Sequence, residues 1–420
     1  MLWIERPVMT REEIARYNAC LLERPGAAAR LYVLDRFRRG VSREEVLGEI
    51  MRSAPAPRAC PPEAFARAVW EALWENCALP CVPPRVYARW GVCVHRASLR
   101  ALPSAAPVWG GGDRYDDRLQ LSAVLCGEPL ALLHTSADGR FYFAAAAFYM
   151  GWIAVEDVGE CGGDAWRAEQ EGAFLRVTGS RVTLCADPYE PRVRGLPLTM
   201  GTRLPLAAPP GTVREVRGRM AYDAYLALLP VRGRGGRLER VEALVPVSAD
   251  ICVGDLPYTR RSLARQMAKT RGEVYGWGGQ LDARDCSARV GEIYRCFGFQ
   301  LPRDASGLAQ LPGAQSVMGW SEDDKRALLR TLPVGTILYF PGHVMLSYGT
   351  ERGEPLCLSA VGRFLPPESA GDTARAVNTV AVTPLTVRRA DGRAWLESLT
   401  AVMRIPPEKR GETARVMSLP

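Results

Sequence analysis

The stretch that decides the fold of the last part of the chain is YGWGGQLDARDCSARVGEIYRCFGFQLPRD, residues 275–304. Its glycines permit tight backbone turns, so its first third is predicted to be a loop. Asp285 then stands where a helix N-cap belongs, and Gly298 suits a helix end. Between them lies an apolar face at helical spacing, formed by Val290, Ile293, Tyr294 and Phe297. We therefore predict a helix whose first residue is Cys286.

A cysteine in the first turn of a helix has chemical consequences. The unpaired N–H groups and the dipole at a helix N-terminus favour an anion. A thiol in that position has a lowered pKa and is ionised more often at neutral pH. The same N–H groups can bind the oxyanion that forms when a carbonyl is attacked. Position alone leaves two interpretations of Cys286 open, a nucleophile or a small buried cysteine.

A thiolate nucleophile needs a nearby base, and the chain offers three histidines: His95, His134 and His343. The first two lie in strand-rich segments that precede the predicted helix. His343 follows an apolar strand and the turn Pro341-Gly342, and it begins another strand. A cysteine on a helix followed by a histidine on a strand is the papain-like arrangement. The alternative for His343 is a turn histidine without a catalytic role.

A third group usually orients the imidazole of such a pair. Gly349 and Gly353 bracket three residues, which predicts a hairpin of strands 343–348 and 354–361. If the two glycines face each other, His343 lies opposite Ser359. A serine hydroxyl can accept a hydrogen bond from the imidazole. A strand serine without a role is an equally consistent interpretation.

Composition limits the class of protein. A chain of 420 residues is too long for one ordinary core, so we expect two to four domains. The 47% hydrophobic and 24% charged residues are typical of a soluble globular protein. The net charge of +8 comes from scattered arginines, which does not favour nucleic-acid binding. The longest uncharged run, between Arg140 and Glu156, is too short for a membrane span, so no integral membrane segment is expected.

The twelve cysteines are irregularly spaced and contain no CxxC pair. Cys77 and Cys81 form a CxxxC whose nearest histidine is His95, which is a weak pattern for zinc. We therefore expect no metal and no cofactor. The disulfide state, and with it the redox compartment, stays open. The N-terminal residues lack a basic segment followed by an apolar one, so no secretion signal is predicted in them.

The pattern along the chain predicts an α+β multidomain protein. Residues 1–90 are predicted to be a helical segment, with a capping box at Thr10 and Glu13, a second cap at Ser42 and a third helix near 62–76. Residues 91–160 and 161–255 contain short strands separated by turns, which predicts small β-barrels. The strand-like runs are 121–124, 129–134, 140–145 and 151–155 in the first segment, and 182–185, 212–216, 225–231 and 241–247 in the second. The second segment echoes the first and suggests a duplication. Residues 256–420 form the last domain, with α+β character.

Taken together, these residues resemble the NlpC/P60 family of papain-like cysteine peptidases. The matching features are Tyr275-Gly-Trp-Gly-Gly279, Asp285-Cys286-Ser287, Leu301-Pro-Arg-Asp304, Gly335 and Pro341-Gly342-His343. The resemblance extends to the segments before the last domain. Residues 133–139 and Gly151-Trp152 resemble bacterial SH3 (SH3b) domains, which implies that 91–160 and 161–255 are two such domains. Trp3 and Asn18 resemble the leading segment of one branch of the family.

The resemblance implies hydrolysis of peptidoglycan stem peptides at a γ-D-glutamyl–diaminopimelate bond. It implies that Cys286 is the nucleophile, that His343 is the general base and then the acid, and that Ser359 stands where the family has its third residue. Tyr275 would contribute to the oxyanion site or the substrate wall, and the remaining substrate-binding positions would be Trp277, Asp285 and Ser287. Asp116 or Asp117 is a candidate to bind the amino terminus of the peptide. The implied partners are peptidoglycan or murein peptides, and the implied location is the periplasm or cell wall, with cytoplasmic recycling as the alternative.

Two positions depart from the family pattern. The family commonly has His, Asn or Gln where this chain has Ser359, and glycine where it has Ala288. The first departure puts the orientation of the imidazole, and so the rate, in doubt. It gives weight to a second hypothesis, a wall-binding protein with a weak or inactive Cys/His site. A third hypothesis is a thiol amidase or acyltransferase that acts on a substrate outside the wall.

Overall fold

The computed structural model describes residues 5–23, 31–59, 62–63, 65–110, 113–168, 170–366 and 375–406. Trp3 and Cys60 lie outside the described residues. The chain divides into two compact units. The first, which we call the helix–sheet unit, contains Met1–Arg30, Pro257–Tyr275 and Cys286–Pro420. The second, the β-rich unit, contains Leu31–Leu256 and Gly276–Asp285.

Helices and strands alternate irregularly along the described residues. The helices are α1 Arg11–Leu22, α2 Arg43–Ser53, α3 Arg67–Asn76, α4 Gly163–Ala168, α5 Arg260–Lys269, α6 Cys286–Arg295, α7 Ala305–Leu308, α8 Glu322–Thr331 and α9 Trp395–Ser398. The strands are β1 Val41–Ser42, β2 Arg85–Val86, β3 Arg89–Cys93, β4 Ala97–Arg100, β5 Trp109–Gly110, β6 Asp113–Asp117, β7 Gln120–Val124, β8 Pro129–Thr135, β9 Phe141–Ala146, β10 Tyr149–Ala154, β11 Val158–Cys161, β12 Phe174–Val177, β13 Arg181–Thr183, β14 Pro197–Thr199, β15 Arg203–Pro205, β16 Glu215–Val216, β17 Arg219–Met220, β18 Ala224–Arg232, β19 Leu238–Pro246, β20 Ile251–Val253, β21 Ala314–Ser316, β22 Ile337–Phe340, β23 His343–Glu351, β24 Glu354–Phe364, β25 Arg375–Pro384 and β26 Ala401–Met403.

The helix–sheet unit is built on a six-stranded antiparallel sheet of order β21-β26-β22-β23-β24-β25. Helix α6 packs against β23 and β24, and α8 packs against the same two strands. The core beneath α8 and α9 contains Leu329, Leu338, Trp395 and Val402. An aromatic cluster surrounds Tyr258, whose ring lies 5.0 to 6.0 Å from those of Tyr294, Phe297 and Phe299.

Helix α1 belongs to this unit although it lies far away in sequence. The predicted capping box is confirmed, because Thr10 Oγ1 accepts from the Glu13 N–H at 3.2 Å and the Glu13 carboxylate accepts from the Thr10 N–H at 2.8 Å. Asn18 donates to the Gly298 carbonyl at 2.8 Å and accepts from the Gln300 N–H at 2.9 Å. These bonds fasten α1 to the turn that ends α6. Gly298 adopts φ 89°, the left-handed conformation expected of a residue beyond a helix end.

The β-rich unit contains a seven-stranded antiparallel sheet of order β11-β3-β8-β9-β10-β4-β7. Strand β9 is buried along its whole length. Its alternate side chains enter two different cores, Phe143 with the helix tryptophans Trp70 and Trp74, and Ala144 with Leu130 and Ile153. The four strands predicted between residues 121 and 155 are all present, with ends that shift by one or two residues.

The remainder of the β-rich unit has smaller sheets. Strand β12 pairs with β15 and β20, and β18 and β19 form a long hairpin. The predicted strand at 212–216 is reduced to Glu215–Val216, because Pro209 begins a turn in which the Thr212 N–H bonds the Pro209 carbonyl at 3.2 Å. The predicted helix at 62–76 begins only at Arg67. Within the described residues, no helix is both long and apolar enough to cross a membrane.

Candidate active site

Helix α6 begins at Cys286, as the sequence predicts. Cys286 is half-buried, whereas the next four residues are buried. Two hydrogen bonds anchor the helix to the sheet: Arg289 donates to the Leu358 carbonyl at 2.6 Å, and the Tyr294 hydroxyl donates to the Gly335 carbonyl at 2.8 Å. The sulfur thus lies at the positive end of a helix whose position is fixed against β24 and the turn before β22.

The residue before the nucleophile candidate, Asp285, is buried and belongs to the β-rich unit. Its Oδ2 accepts a hydrogen bond from the Gly278 N–H at 3.1 Å. The Gly276 N–H bonds the Arg284 carbonyl at 3.1 Å, so residues 276–285 close on themselves. Trp277 lies in this loop and is 46% exposed. The loop needs Gly278 and Gly279 because both adopt left-handed backbone conformations, with φ 57° and 89°.

His343 and Ser359 are in contact. The imidazole Nε2 lies 2.5 Å from Ser359 Oγ, and Ser359 is only 1% exposed. The serine hydroxyl also donates to the Ala360 carbonyl at 3.4 Å. A hydroxyl has one proton, so a serine that donates to this carbonyl accepts from Nε2–H. This arrangement suits a neutral imidazole in which Nε2–H donates to the serine and Nδ1 carries the lone pair.

The register behind this contact differs from the prediction. The hairpin turn is formed by Arg352 and Gly353, both with positive φ, and not by a loop bracketed by two glycines. Leu346 pairs with Leu358, which places His343 two residues out of the predicted register. A shift of two residues keeps the same face of the sheet, so Ser359 becomes a diagonal neighbour of His343. The predicted pairing is wrong, and the predicted contact is present.

Two aromatic rings pack against the imidazole and contact each other, with their centroids 5.8 Å apart. Phe340 pairs with His343 across the Pro341-Gly342 turn, and its ring centroid lies 5.3 Å from that of His343. Trp395, on α9, also lies 5.3 Å from the imidazole and is 2% exposed. Trp395 could not be predicted as a neighbour of His343, since nothing in the sequence spacing relates the two residues.

Tyr275 is held by the sheet edge. Its N–H donates to the Asn378 carbonyl on β25 at 2.9 Å, and Val274 forms a bridge with Thr379. A Cβ on Gly362 of β24 would lie 3.8 Å from the tyrosine ring. The tyrosine ring therefore lies next to the strand that carries Ser359, with ordinary van der Waals room for a Cβ on Gly362.

A buried cation lies beside Ser287, the residue after the nucleophile candidate. Arg303 donates to Ser287 Oγ at 2.9 Å, and both residues are buried. In the sequence, Arg303 stands out only as part of the Leu-Pro-Arg-Asp pattern. The turn at Gly298 reverses the chain and returns Arg303 to the start of α6.

The other two histidines have partners in the β-rich unit. His95 Nε2 lies 2.8 Å from Asp157 Oδ1, and this hydrogen bond raises the pKa of His95. His134 Nε2 lies 3.0 Å from the Cys77 carbonyl, and burial lowers the pKa of His134. These contacts leave His343 as the best candidate base.

The acids considered for amine binding have structural contacts. Asp117 is buried, forms an ion pair with Arg100 and accepts the backbone N–H groups of Val108 and Leu119, both at 3.0 Å. Such a carboxylate is already satisfied by its own unit. Asp116 pairs with Arg118 at 2.9 Å.

The cysteines of the core are poor nucleophiles. Burial raises the pKa of Cys77 and that of Cys357 to about 12. Cys81 is exposed, whereas Cys77 is buried. Among the described residues there is no group of three or more His, Cys, Asp or Glu side chains arranged to hold a metal ion.

Two comparisons with known proteins identify what this chain resembles. A family model for an SH3 domain of the SH3b1 type matches residues 107–154. An NlpC/P60 endopeptidase from Photobacterium damselae subsp. piscicida is similar in structure, with a TM-score of 0.70 and 17% identity over 96% of this chain and 94% of that chain. The chain has the fold of NlpC/P60 proteins.

An NlpC/P60 family protein from Bacillus cereus ATCC 10987 is also similar, with a TM-score of 0.53 and 15% identity over 76% of this chain and 100% of that one. No curated protein sequence matches significantly. The NlpC/P60-like fold and one SH3b-type domain therefore agree with the resemblance drawn from the sequence. The second SH3b domain, at residues 161–255, stays a prediction.

Proposed function

We propose that this chain is a cysteine peptidase that hydrolyses peptidoglycan stem peptides at a γ-D-glutamyl–diaminopimelate bond. The observation that carries the proposal is the 2.5 Å contact between His343 and Ser359 on strands against which the Cys286 helix packs. The NlpC/P60-like fold supports the same chemistry.

The reaction begins with the Cys286 thiol, whose proton passes to Nδ1 of His343. The thiolate attacks the γ-carbonyl carbon of the D-glutamyl residue and forms a tetrahedral oxyanion. N–H groups at the start of α6, with Tyr275, stabilise this charge. The imidazolium returns its proton to the departing amine of diaminopimelate, which leaves a thioester on Cys286. Water, deprotonated by His343, then attacks the thioester and releases the free γ-carboxylate.

Arg303 supports an anionic substrate. A γ-linked D-glutamyl residue keeps a free α-carboxylate beside the scissile bond. The buried guanidinium of Arg303 contacts Ser287, the residue next to the proposed nucleophile, and can pair with this carboxylate. Ser287 would then position the guanidinium, and Trp277 and Asp285 remain proposed substrate-binding residues.

The test is incubation with L-Ala-γ-D-Glu-diaminopimelate, comparing the parent chain with Cys286→Ala. We expect the parent chain to release diaminopimelate and the variant to release none. Equal release by both proteins would refute a role for Cys286 as nucleophile.

A second candidate function is wall binding by the SH3b-type domain with a weak Cys/His site. The observation that favours it is Ser359, because a hydroxyl is a weaker orienter than the side chains the family commonly uses. Sedimentation with intact wall sacculi distinguishes the two proposals. Binding without release of diaminopimelate supports the second, and release in solution supports the first.

A further inference from the structure

The imidazole of His343 packs against two aromatic rings that come from different parts of the chain and that also contact each other, with centroids 5.8 Å apart. Phe340 is local, because the Pro341-Gly342 turn pairs it directly with His343. Trp395 comes from α9, a helix of four residues. A helix this short has no stability of its own in water, so other contacts must hold it in place.

The contacts that hold α9 are specific. The backbone N–H of Trp395 donates to the Val387 carbonyl at 2.9 Å, and the backbone N–H of Leu396 donates to the Leu385 carbonyl at 2.9 Å. Lys325, on α8, donates from Nζ to the carbonyls of Leu396 at 3.3 Å and Glu397 at 2.7 Å. The ammonium therefore holds the carbonyl end of α9, where a cation is favoured.

Lys325 is an unusual residue in this chain. The chain has 54 Lys and Arg residues, and only three of them are lysines: Lys269, Lys325 and Lys409. Lys325 is 4% exposed, and burial lowers its pKa. A compact ammonium has three donors and can be enclosed beside two carbonyls.

We propose that Trp395 is a positioning residue for His343 and that Lys325 holds Trp395 in that position. The proposal rests on the proposed peptidase function. Trp395 and Phe340 restrict rotation of the imidazole, so that Nε2 stays on Ser359 and Nδ1 stays available to the thiol. The two rings also offer π faces to the imidazolium that forms in the reaction. This packing supplies part of the orientation that a serine hydroxyl alone provides weakly.

The first experiment compares Trp395→Leu, Trp395→Phe and a matched control, Trp320→Leu. Trp320 lies in the same unit and is 40% exposed. We expect Trp395→Leu to lower kcat about 10-fold with KM within twofold, because cation–π contacts and ring packing contribute on this scale. Trp395→Phe keeps an aromatic face and should recover most of kcat, and Trp320→Leu should behave as the parent chain. Equal loss in Trp395→Leu and Trp395→Phe would contradict a role for the aromatic face.

The second experiment does not depend on peptidase activity. The chain has three histidines, so ¹⁵N-histidine NMR can follow the His343 ring. We expect one Nε2–H tautomer in the parent chain and in Trp320→Leu, and averaging between the tautomers in Trp395→Leu. A single unchanged tautomer in folded Trp395→Leu would overturn the proposal, whether or not the chain cleaves peptides.

Lys325→Gln provides an independent test that leaves Trp395 in place. It should give the same averaging of the His343 signals and a smaller fall in kcat, since α9 is loosened and not removed. Parent-like His343 signals in this variant would refute the role of Lys325. If Trp395→Leu does not fold, Trp395→Phe and Lys325→Gln still decide the question. Absence of peptidase activity in the parent chain would contradict the proposed function, while the NMR comparison would still report on positioning.

Discussion

The contact between His343 and Ser359 gives a quantitative prediction for Ser359→Ala. The variant removes the hydroxyl that lies 2.5 Å from Nε2, in a position that is 1% exposed to solvent. A hydrogen bond to a charged group contributes about 1.5–3 kcal/mol, and His343 is charged when it holds the thiol proton. At about 1.36 kcal/mol for each tenfold change, the expected loss in kcat is about 10-fold to 150-fold.

This loss should be smaller than the loss of a complete orienting residue. In the serine proteases, changing the buried aspartate to its amide lowers kcat about 10⁴-fold by favouring the wrong tautomer. In this chain Phe340 and Trp395 still pack against the imidazole when the hydroxyl is absent. The packing should therefore retain part of the orientation.

The assay measures diaminopimelate release from L-Ala-γ-D-Glu-diaminopimelate over a range of substrate concentrations, to separate kcat from KM. Ser347→Ala is the matched control, because Ser347 is also buried, lies on β23 and pairs with Cys357. We expect the control to keep the parent kcat. A Ser359→Ala enzyme within twofold of the parent chain would refute the role of the hydroxyl.

Three further predictions concern other parts of the protein. Iodoacetamide at about pH 6 should label Cys286 ahead of the other cysteines, with labelling read by peptide mass spectrometry. Buried thiols such as Cys357, with a pKa raised to about 12, stay protonated at this pH. Equal labelling of all exposed thiols would contradict activation of the Cys286 thiol. Arg303→Leu should lower kcat/KM about 10-fold to 150-fold for a peptide with a D-glutamyl α-carboxylate, and much less for its α-carboxamide analogue. An equal loss for both peptides would exclude the proposed ion pair. His95→Gln should lower Tm most at about pH 5.5 and little at pH about 9. The raised pKa of His95 contributes stability below the pKa of the unfolded state, about 6.5, and this stability is lost as pH rises through the pKa of the folded state. A Tm difference independent of pH would show that the Asp157 contact is not its source.

The sequence predicts the elements near the site better than it predicts their pairing. Helix α6 could be predicted because the Asp285 position, the apolar spacing and Gly298 all indicate the same helix. The hairpin register could not be predicted, because a loop bracketed by Gly349 and Gly353 and a turn at Arg352 and Gly353 both satisfy the local pattern. Ser359 still contacts His343 despite this register error, because strand faces repeat every two residues.

Contacts between distant segments could not be predicted from the sequence. Trp395 contacts His343 because backbone bonds to Val387 and Leu385 hold α9 in place, and Lys325 contacts α9 from another helix. Arg303 belongs to a recognised pattern, but its contact with Ser287 depends on the reversal after α6. Local periodicity contains no information on such contacts, which depend on tertiary packing.

The loop before Cys286 bears on the choice between the two candidate functions. Gln120, inside the SH3b-type match, donates to the Gly278 carbonyl at 3.0 Å, and Arg96 donates to the Ala283 carbonyl at 2.8 Å. A Cβ on Gly279 would lie 2.7 Å from the Ala123 side chain, so this loop has little room to move. A domain that served only to bind the wall would have no need to hold the ten residues that lead directly to the proposed nucleophile. These bonds therefore favour the proposed peptidase over the wall-binding alternative, because they fix the backbone of the loop that ends at Asp285, directly before Cys286.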